Sequence, residues 1–445
     1  MYRIAVVGAG ISGLGAAHYL RKYGCEVEVF EHAQSVGGRM RTARKDGYTW
    51  DMGAQFMVDS YSHMKNLMKE LGIDQEITYV NPIQAMAIGN HEIFRFRSGS
   101  PLSFLNHPKI NFRAKLSVLK VLYLAFKYRN HLDFLYSDRL HLLDDGRDLS
   151  WWRTKTANSL VDWILSVPTS TLFFWPEKET PWYSVFLSLL DSKKIWSIYT
   201  PIGGMGKVTE KLSSFTQVHL GAPVTSVQSV DNKQVRVTIQ SKSGQCNRYF
   251  DKVIIATPAS IALTILHHPV QELGQERVTF LEQTRYTANL TTAIGYEKAP
   301  EEKAYGFAVP TILNSSLASI GWDHLKGNDR APLRKGIAIA MPTHEYSIEN
   351  WDRPDHEIKK EVSNMVSNFY PRSEENRTFM ELHRWRHAMP ITYPSWSRLL
   401  TEALHSKPPE GANIFVCGDY WAGPTTEHAL FSGYRTAQEV IKKSC

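Results

Sequence analysis

The sequence predicts an α/β protein in which one parallel sheet is assembled from three separated stretches of chain, beside a second domain of mixed α+β character. Three observations predict it. A strand, a glycine turn, a helix and a second strand follow one another within roughly the first 30 residues. Between about Tyr61 and Thr200 the chain changes character, and apolar residues recur at helical spacing. Strand patterns then return after Thr200, and a strand and helix close the chain.

Taken in order, Tyr2 to Val7 holds the short apolar run IAVV ended by glycines, the pattern of a buried parallel strand. Ile11 to Lys22 reads as a helix, and Gly24 fits its stop. Glu26 to Phe30 alternates as a second strand, which completes a βαβ unit with a right-handed crossover. Met64 to Leu71 and Leu160 to Val167 are helical in spacing. Strands are expected at Val218–Val227 and Val235–Ile239, then at Val253–Ala256 and in several runs from Ala288 to Met341. A helix from His356 to Phe369, a strand at Ile414–Cys417 and a helix from about Glu427 to Ile441 follow. Residues 1–60, 200–270 and 380–445 are therefore expected to form the first domain. Residues 61–199, mainly helical, and 271–379 form the second.

At about 150 residues per domain, 445 residues suffice for two or three domains. With 43% apolar and 21% charged residues the chain is globular in type. Twelve Trp, twenty Tyr and nineteen Phe either fill large cores or line a pocket for a flat ring or a long hydrocarbon. Cys25, Cys246, Cys417 and Cys445 show neither CxxC pairing nor zinc spacing, so no metal site is expected. Arg3 already starts the first strand, which leaves no room for a signal peptide. No run of about 18 apolar residues offers a membrane span, and the expected location is cytoplasmic. The net charge of +7 is uneven: no acid occurs from Ile93 to Leu132. The basic amphipathic segment 109–129 suits either an anionic membrane surface or a helix that covers a substrate cavity with its charges in water. Its basic residues fit no nucleic-acid docking motif.

The strongest motif is Gly8, Gly10 and Gly13 in GxGxxG spacing. The first glycine permits a tight turn, the second lets the backbone approach a pyrophosphate, and the third lets the helix pack on the strand. Ile11 and Ser12 open that helix, where free N–H groups favour phosphate. Glu31, followed by His32, ends the second strand, where a carboxylate accepts the hydroxyls of an adenosine ribose and rejects a 2′-phosphate. Just beyond lies Gly37-Gly38-Arg39-Met40-Arg41-Thr42, a loop that can place a guanidinium near phosphates. The expected ligand is a dinucleotide.

With these residues in view, VVGAGISGLGAAHYLRKYGCEVEVFEHAQSVGGRMRT resembles the opening of the flavin-containing amine oxidase superfamily, which includes monoamine and polyamine oxidases, protoporphyrinogen oxidases and desaturases. Later landmarks match in order. Met52-Gly53-Ala54-Gln55, after Asp51, resembles the loop under the flavin ring, and Pro201 to Gly206 the turn into the second cofactor segment. Val224 resembles the residue whose backbone meets adenine, and Val253 to Pro258 the strand that closes that segment. Gly418-Asp419 and Glu427 to Gly433, with Ala429 and Leu430, resemble the C-terminal cofactor motif. The resemblance implies FAD, held by a Rossmann-type, GR2-like domain, beside a mixed α+β substrate domain. Independently of it, Asp419 at a strand end suits a ribityl hydroxyl. Thr425 or Thr426 suits an N-cap, and the N–H groups behind it suit the charge of a reduced flavin.

Amine oxidases of this superfamily usually hold a water near the flavin with a lysine. The corresponding strand, Tyr286 to Tyr296, has none, and Lys298 comes after it. YGFAVP, ASIGWDH, Arg330-Ala331-Pro332 and Arg384 to Pro390 are instead similar to protoporphyrinogen oxidases. The chain departs from them at Ile391-Thr392-Tyr393, where those enzymes favour Gln-Tyr, which leaves the substrate open. The implied activity is removal of hydride from a hydrophobic or heterocyclic small molecule, with dioxygen as acceptor. His387, His428, Trp385, Tyr393 and Trp421 are expected near the ring, although a Trp or His also packs in cores. His387 or His428 could act as base. An amine oxidase without the lysine, a flavin-dependent isomerase and a non-catalytic flavoprotein are the alternatives.

Overall fold

The computed structural model describes residues 2–133, 135–187, 197–230, 233–241 and 244–442. A five-stranded parallel sheet runs in the order Gln217–His219, Glu26–Phe30, Arg3–Val7, Lys252–Ile255, Ile414–Val416. Its central strand is buried on both faces, as its unbroken apolar run requires. Ile4 and Val6 face the first helix, Ile11–Lys22, while Ala5 and Val7 face a core that contains Trp396 and Leu400.

The closing helix, Thr426–Lys442, crosses the first helix at backbone distance. A Cβ on Gly433 would sit 2.2 Å from the Ser12 carbonyl oxygen, and one on Gly15 would sit 2.5 Å from Leu430 Cδ1. These two glycines hold the C-terminus of the chain against its N-terminal motif.

A seven-stranded sheet forms the other half, in the order Arg377–Pro390, Tyr286–Tyr296, Gly336–Pro342, Leu317–Gly321, Gly306–Ala308, Ile83–Gly89, Glu92–Arg97. Its pairs are antiparallel except Gly306–Ala308 with Ile83–Gly89. Leu290, Ile294, Phe307 and Trp322 pack from it against Ile358 and Val362 of the helix Asp355–Ser367.

Three expectations need correction. Residues 61–199 are helical in large part from Pro101 to Leu187, but strands at Ile77–Tyr79, Ile83–Gly89 and Glu92–Arg97 precede those helices. The alternation in EIFRFR is the strand signal there, and the turn at His91 adopts a left-handed φ of 62°. The expected run Val218–Val227 is two strands. Gly221 (φ +59°) and Pro223 break it, sending Gln217–His219 to the parallel sheet and Val224–Ser229 to an antiparallel ribbon with Val235–Ser241 and Gly244–Phe250. The expected boundary at residue 380 falls inside Arg377–Pro390, which belongs by its pairing to the seven-stranded sheet.

Trp152, Trp175, Trp182, Trp322 and Trp396 are fully buried, so much of the aromatic supply fills cores. Among the described residues no helix is long and apolar enough to cross a membrane.

Replacing Gly433 by Val sets a branched side chain against the Ser12 backbone, which cannot yield as a side-chain tip would. A loss of about 3 kcal/mol is expected, measured as a lowered urea midpoint with unchanged m.

Candidate functional site

The turn after the first strand has the geometry its glycines require. Gly8 adopts φ +106°, and a Cβ on Gly13 would lie 2.0 Å from the Gly8 carbonyl oxygen. A Cβ on Gly10 would meet nothing within 4 Å, so backbone borders open space at the point where a pyrophosphate would approach. Gly10 caps the helix without a side chain, and the first turn, with Ile11 and Ser12, carries no acid.

Glu31 is buried beside this turn. Its Oε2 accepts from Ala9 N (2.8 Å), its Oε1 from Ala33 N (2.9 Å), and His32 Nδ1 lies 2.8 Å from Oε1. Burial works against its charge, but the bonds from His32, Ala33 and Ala9 outweigh it and hold the carboxyl below its usual range. A carboxylate has about four acceptor sites, and with three taken about one remains, on Oε2, for a ribose hydroxyl. The segment that leads to Val224 lies alongside, through Gly221 N to Ala33 O (2.9 Å) and Ala222 N to Glu31 O (2.8 Å).

The second glycine loop joins the two ends of the chain. A Cβ on Gly38 would be 3.5 Å from Gly10 Cα. Arg39 reaches the C-terminal motif: Nη1 and Nη2 donate to Asp419 Oδ2 (2.5 Å) and Oδ1 (3.0 Å), and Nη1 also to Ala388 O (3.0 Å). This bidentate pair joins the loop beside Gly10 to the C-terminal motif. Met52, Gly53 and Ala54 lie along the same loop: Met52 N donates to Arg41 O and Ala54 N to Arg39 O, and a Cβ on Gly53 would strike Arg39 O at 2.4 Å.

That loop is held from below by Asp51. Thr42 Oγ1 and Met205 N donate to its Oδ1 (both 2.8 Å), and Lys326 Nζ (3.1 Å) and Arg330 Nη1 (2.9 Å) donate to Oδ2. Lys326 Nζ also reaches Asp323 Oδ2 and Gln55 Oε1, both at 3.0 Å, while Gln55 Nε2 donates to Asp51 O and Gly53 O (2.9 Å each). Asp51, Asp323, Lys326 and Arg330 are fully buried. Burial raises the Asp51 carboxyl, but Lys326 and Arg330 outweigh it and leave it below its usual range. Asp323, raised by burial and by Asp51, goes the other way. Sequence reasoning assigned no role to Lys326 or Arg330. The clue was an acid, a lysine and an arginine within WDHLKGNDRAP.

At the closing helix, Thr425 Oγ1 accepts from His428 N (3.3 Å), so Thr425 is the N-cap. Ala429 N donates to Thr425 O (3.0 Å), and Leu430 packs on Gly15. Buried Glu427 ties this helix to another, accepting from His63 N (2.7 Å) and Met64 N (2.8 Å).

The expected ring-side residues divide. Trp385 Nε1 donates to Met52 O (2.7 Å), and Arg41 stacks on its ring at 5.4 Å. His387 is 3.0 Å from Ser260 Oγ and edge-on to Tyr286. Burial, then the charges of Arg39 and Arg386, hold its imidazole below the usual value, with Asp419 opposing. Trp385 thus lies on the Met52 loop, and His387 lies between Ser260 and Tyr286. His428 is buried, its Nδ1 2.8 Å from Thr425 Oγ1. Tyr393 and Trp421 pack in the apolar core with Phe280 and Trp396, and Arg285 lies 4.1 Å over the Tyr393 ring.

The glycine turn with open space at Gly10, the remaining acceptor site of Glu31 and the Arg39–Asp419 pair that joins the two ends of the chain fit a dinucleotide such as FAD. Residues 11–441 match the family model for flavin containing amine oxidoreductases, and the chain belongs to that family. FAD is its cofactor and an FAD-dependent oxidoreductase its class. The chain is similar to a probable flavin-containing monoamine oxidase A of Dictyostelium discoideum, 22% identical over 100% of this chain and 98% of that one. It is also similar to a mitochondrial protoporphyrinogen oxidase of Nicotiana tabacum, 26% identical over 50% of this chain and 42% of that one. The fold matches a putative protoporphyrinogen oxidase of Exiguobacterium sp. 255-15 with TM-score 0.76, 16% identity and 99% coverage of both chains.

Two outcomes follow. Gly10→Val leaves the urea midpoint of the FAD-free protein nearly unchanged, since its side chain enters open space, yet purified protein carries little FAD by its visible absorbance. Lys326→Met strips one cation from two buried carboxylates and costs about 3–5 kcal/mol. The sign for Asp51 is that of a carboxyl with a depressed folded pKa. Its contribution is complete above about pH 4 and is lost as pH falls through the lower folded value. Denaturation midpoints across acid pH measure that loss, which Asp51→Asn removes.

Proposed function

We propose that the protein is an oxidase or desaturase of a hydrophobic or heterocyclic small molecule, of the protoporphyrinogen-oxidase-like kind, rather than an amine oxidase. The observation that carries this reading is the absence of an available ammonium group on the candidate strand. Tyr286–Tyr296 has no lysine, Lys298 is exposed, and the three N–H bonds of Lys326 are all taken by Asp51, Asp323 and Gln55.

When bound, FAD supplies the acceptor for a hydride. The chain's own groups do the rest. Arg39 and Asp419 hold the two ends of the cleft together, and the Met52–Gln55 loop is fixed by Lys326. Trp385, locked on Met52 O, offers a flat face to a ring or hydrocarbon. His387 is the base at the cleft: its lowered pKa keeps the imidazole neutral at neutral pH, so Nε2 can take a proton from the donor. Dioxygen is the proposed acceptor, and the cytoplasm the proposed location, consistent with Cys25, Cys246 and Cys417 as free thiols.

Full-length likeness to the Dictyostelium amine oxidase favours the second reading, amine oxidation without the lysine. Aerobic turnover separates the two. A porphyrinogen or other hydroaromatic compound should give peroxide and a product lighter by hydrogen, and an amine panel should give none. Peroxide with amines alone overturns the proposal, and a product of unchanged mass would mark an isomerase. For His387→Gln we expect flavin reduction slowed roughly 100-fold. In the native protein the acid limb of kcat/KM should fall below the ordinary imidazole value of about 6.5, and the substitution should remove it.

A further inference from the structure

We propose that the helix Phe112–Tyr128 is a docking face that lays the protein on an anionic phospholipid surface. Its 17 residues extend about 25 Å at 1.5 Å each. The helix is apolar on two opposite sides. Ala114, Val118, Val121 and Ala125 pack into the aromatic core of the insertion with Trp152, Trp163 and Trp182. On the other side Phe112, Leu116, Leu119, Tyr123 and Phe126 recur at helical spacing and face solvent, with Phe112 at 74% and both Leu119 and Phe126 at 65% exposure. A helix that merely covers a cavity turns its apolar side inward and its charges to water. Here the outward side is a continuous apolar stripe, which marks an interaction surface.

Charge identifies the occupant. Arg113, Lys120 and Lys127 repeat every seventh residue along one edge of the stripe, and Lys115 lies on the other edge. No acid occurs from Ile93 to Leu132, and none of these four cations has an ion-pair partner among the described residues. A second copy of the chain would bring the same positive charge to the interface. Anionic headgroups neutralise the cations while the rings and leucines enter the boundary beneath them. No described helix is long enough to span, so the contact lies in the plane of the surface. This inference does not depend on the oxidase reading, because it concerns residues outside the cleft.

Cosedimentation of the holoprotein with sucrose-loaded vesicles tests it. Binding is expected to vesicles of phosphatidylcholine with phosphatidylglycerol, to weaken at high salt, and to be far weaker with phosphatidylcholine alone. The exposed double variant Leu119→Ser/Phe126→Ser, and separately Arg113→Gln/Lys120→Gln/Lys127→Gln, should each reduce partitioning by at least about tenfold. Unchanged flavin content and melting temperature show that the variants remain folded. No binding to anionic vesicles overturns the proposal, as does equal binding to both compositions or binding that survives both variants. A dimer in light scattering that the Leu119→Ser/Phe126→Ser variant abolishes would overturn it in favour of a second copy.

Discussion

The buried carboxylate of Asp51 is the constraint on which the mutual arrangement of three segments and the loop Met52–Gln55 depends. Its four donors come from three stretches: Thr42 from the glycine-loop side, Met205 from the second segment, and Lys326 with Arg330 from the connection between Leu317–Gly321 and Gly336–Pro342 of the seven-stranded sheet. Two carboxylates, Asp51 and Asp323, stand against two cations, Lys326 and Arg330, all out of water. Such a cluster contributes little net stability, because desolvation consumes most of the Coulomb gain. Its value is positional. Any displacement of one segment leaves a buried charge unpaired, so only one mutual placement of the three is tolerated.

That placement governs the loop that follows Asp51. The backbone of Asp51 continues directly into Met52, Gly53, Ala54 and Gln55, and Lys326 returns to grip Gln55 from the side away from the chain direction. Gln55 then holds two carbonyls of the loop. The loop is thus fixed by its sequence neighbours and by a residue more than 250 positions later. The helix crossing is fixed in a different way, by close packing rather than charge, with Gly433 against the Ser12 backbone and Gly15 against the Leu430 side chain.

Local features were legible in the sequence; long-range ones were not. The turn of Gly8, Gly10 and Gly13, the helix behind it and Glu31 each follow from short-range stereochemistry, and the structure places them as their spacing demands. The strands at Ile83–Gly89 and Glu92–Arg97 escaped although EIFRFR alternates: Ile83–Gly89, paired on both sides, does not alternate in its apolar run AMAI, and its parallel partner at Gly306–Ala308 leaves no mark on local pattern. Tyr393 and Trp421 were expected beside the ring on residue type alone, and type does not separate a pocket wall from a core. The role of Lys326 was unreadable for a sharper reason. A lysine in a short connection is ordinarily a solvated charge, and only tertiary structure brings Asp51 and Gln55 to it.

The fate of that lysine bears on the chemistry. An ammonium group can hold a water or move a proton only if a donor remains free or the proton can leave. The three hydrogens of Lys326 already have acceptors in Asp51, Gln55 and Asp323, so no donor is left to hold a water. His387 is placed in the opposite way. Burial and two arginines disfavour its cation, and its Nε2 is bonded only to a hydroxyl, Ser260, that can itself donate or accept. Lys326 therefore spends its donors on the loop, while burial and two arginines disfavour a cation at His387. The proposed base is for this reason the imidazole and not the lysine, whose donors hold the loop in shape.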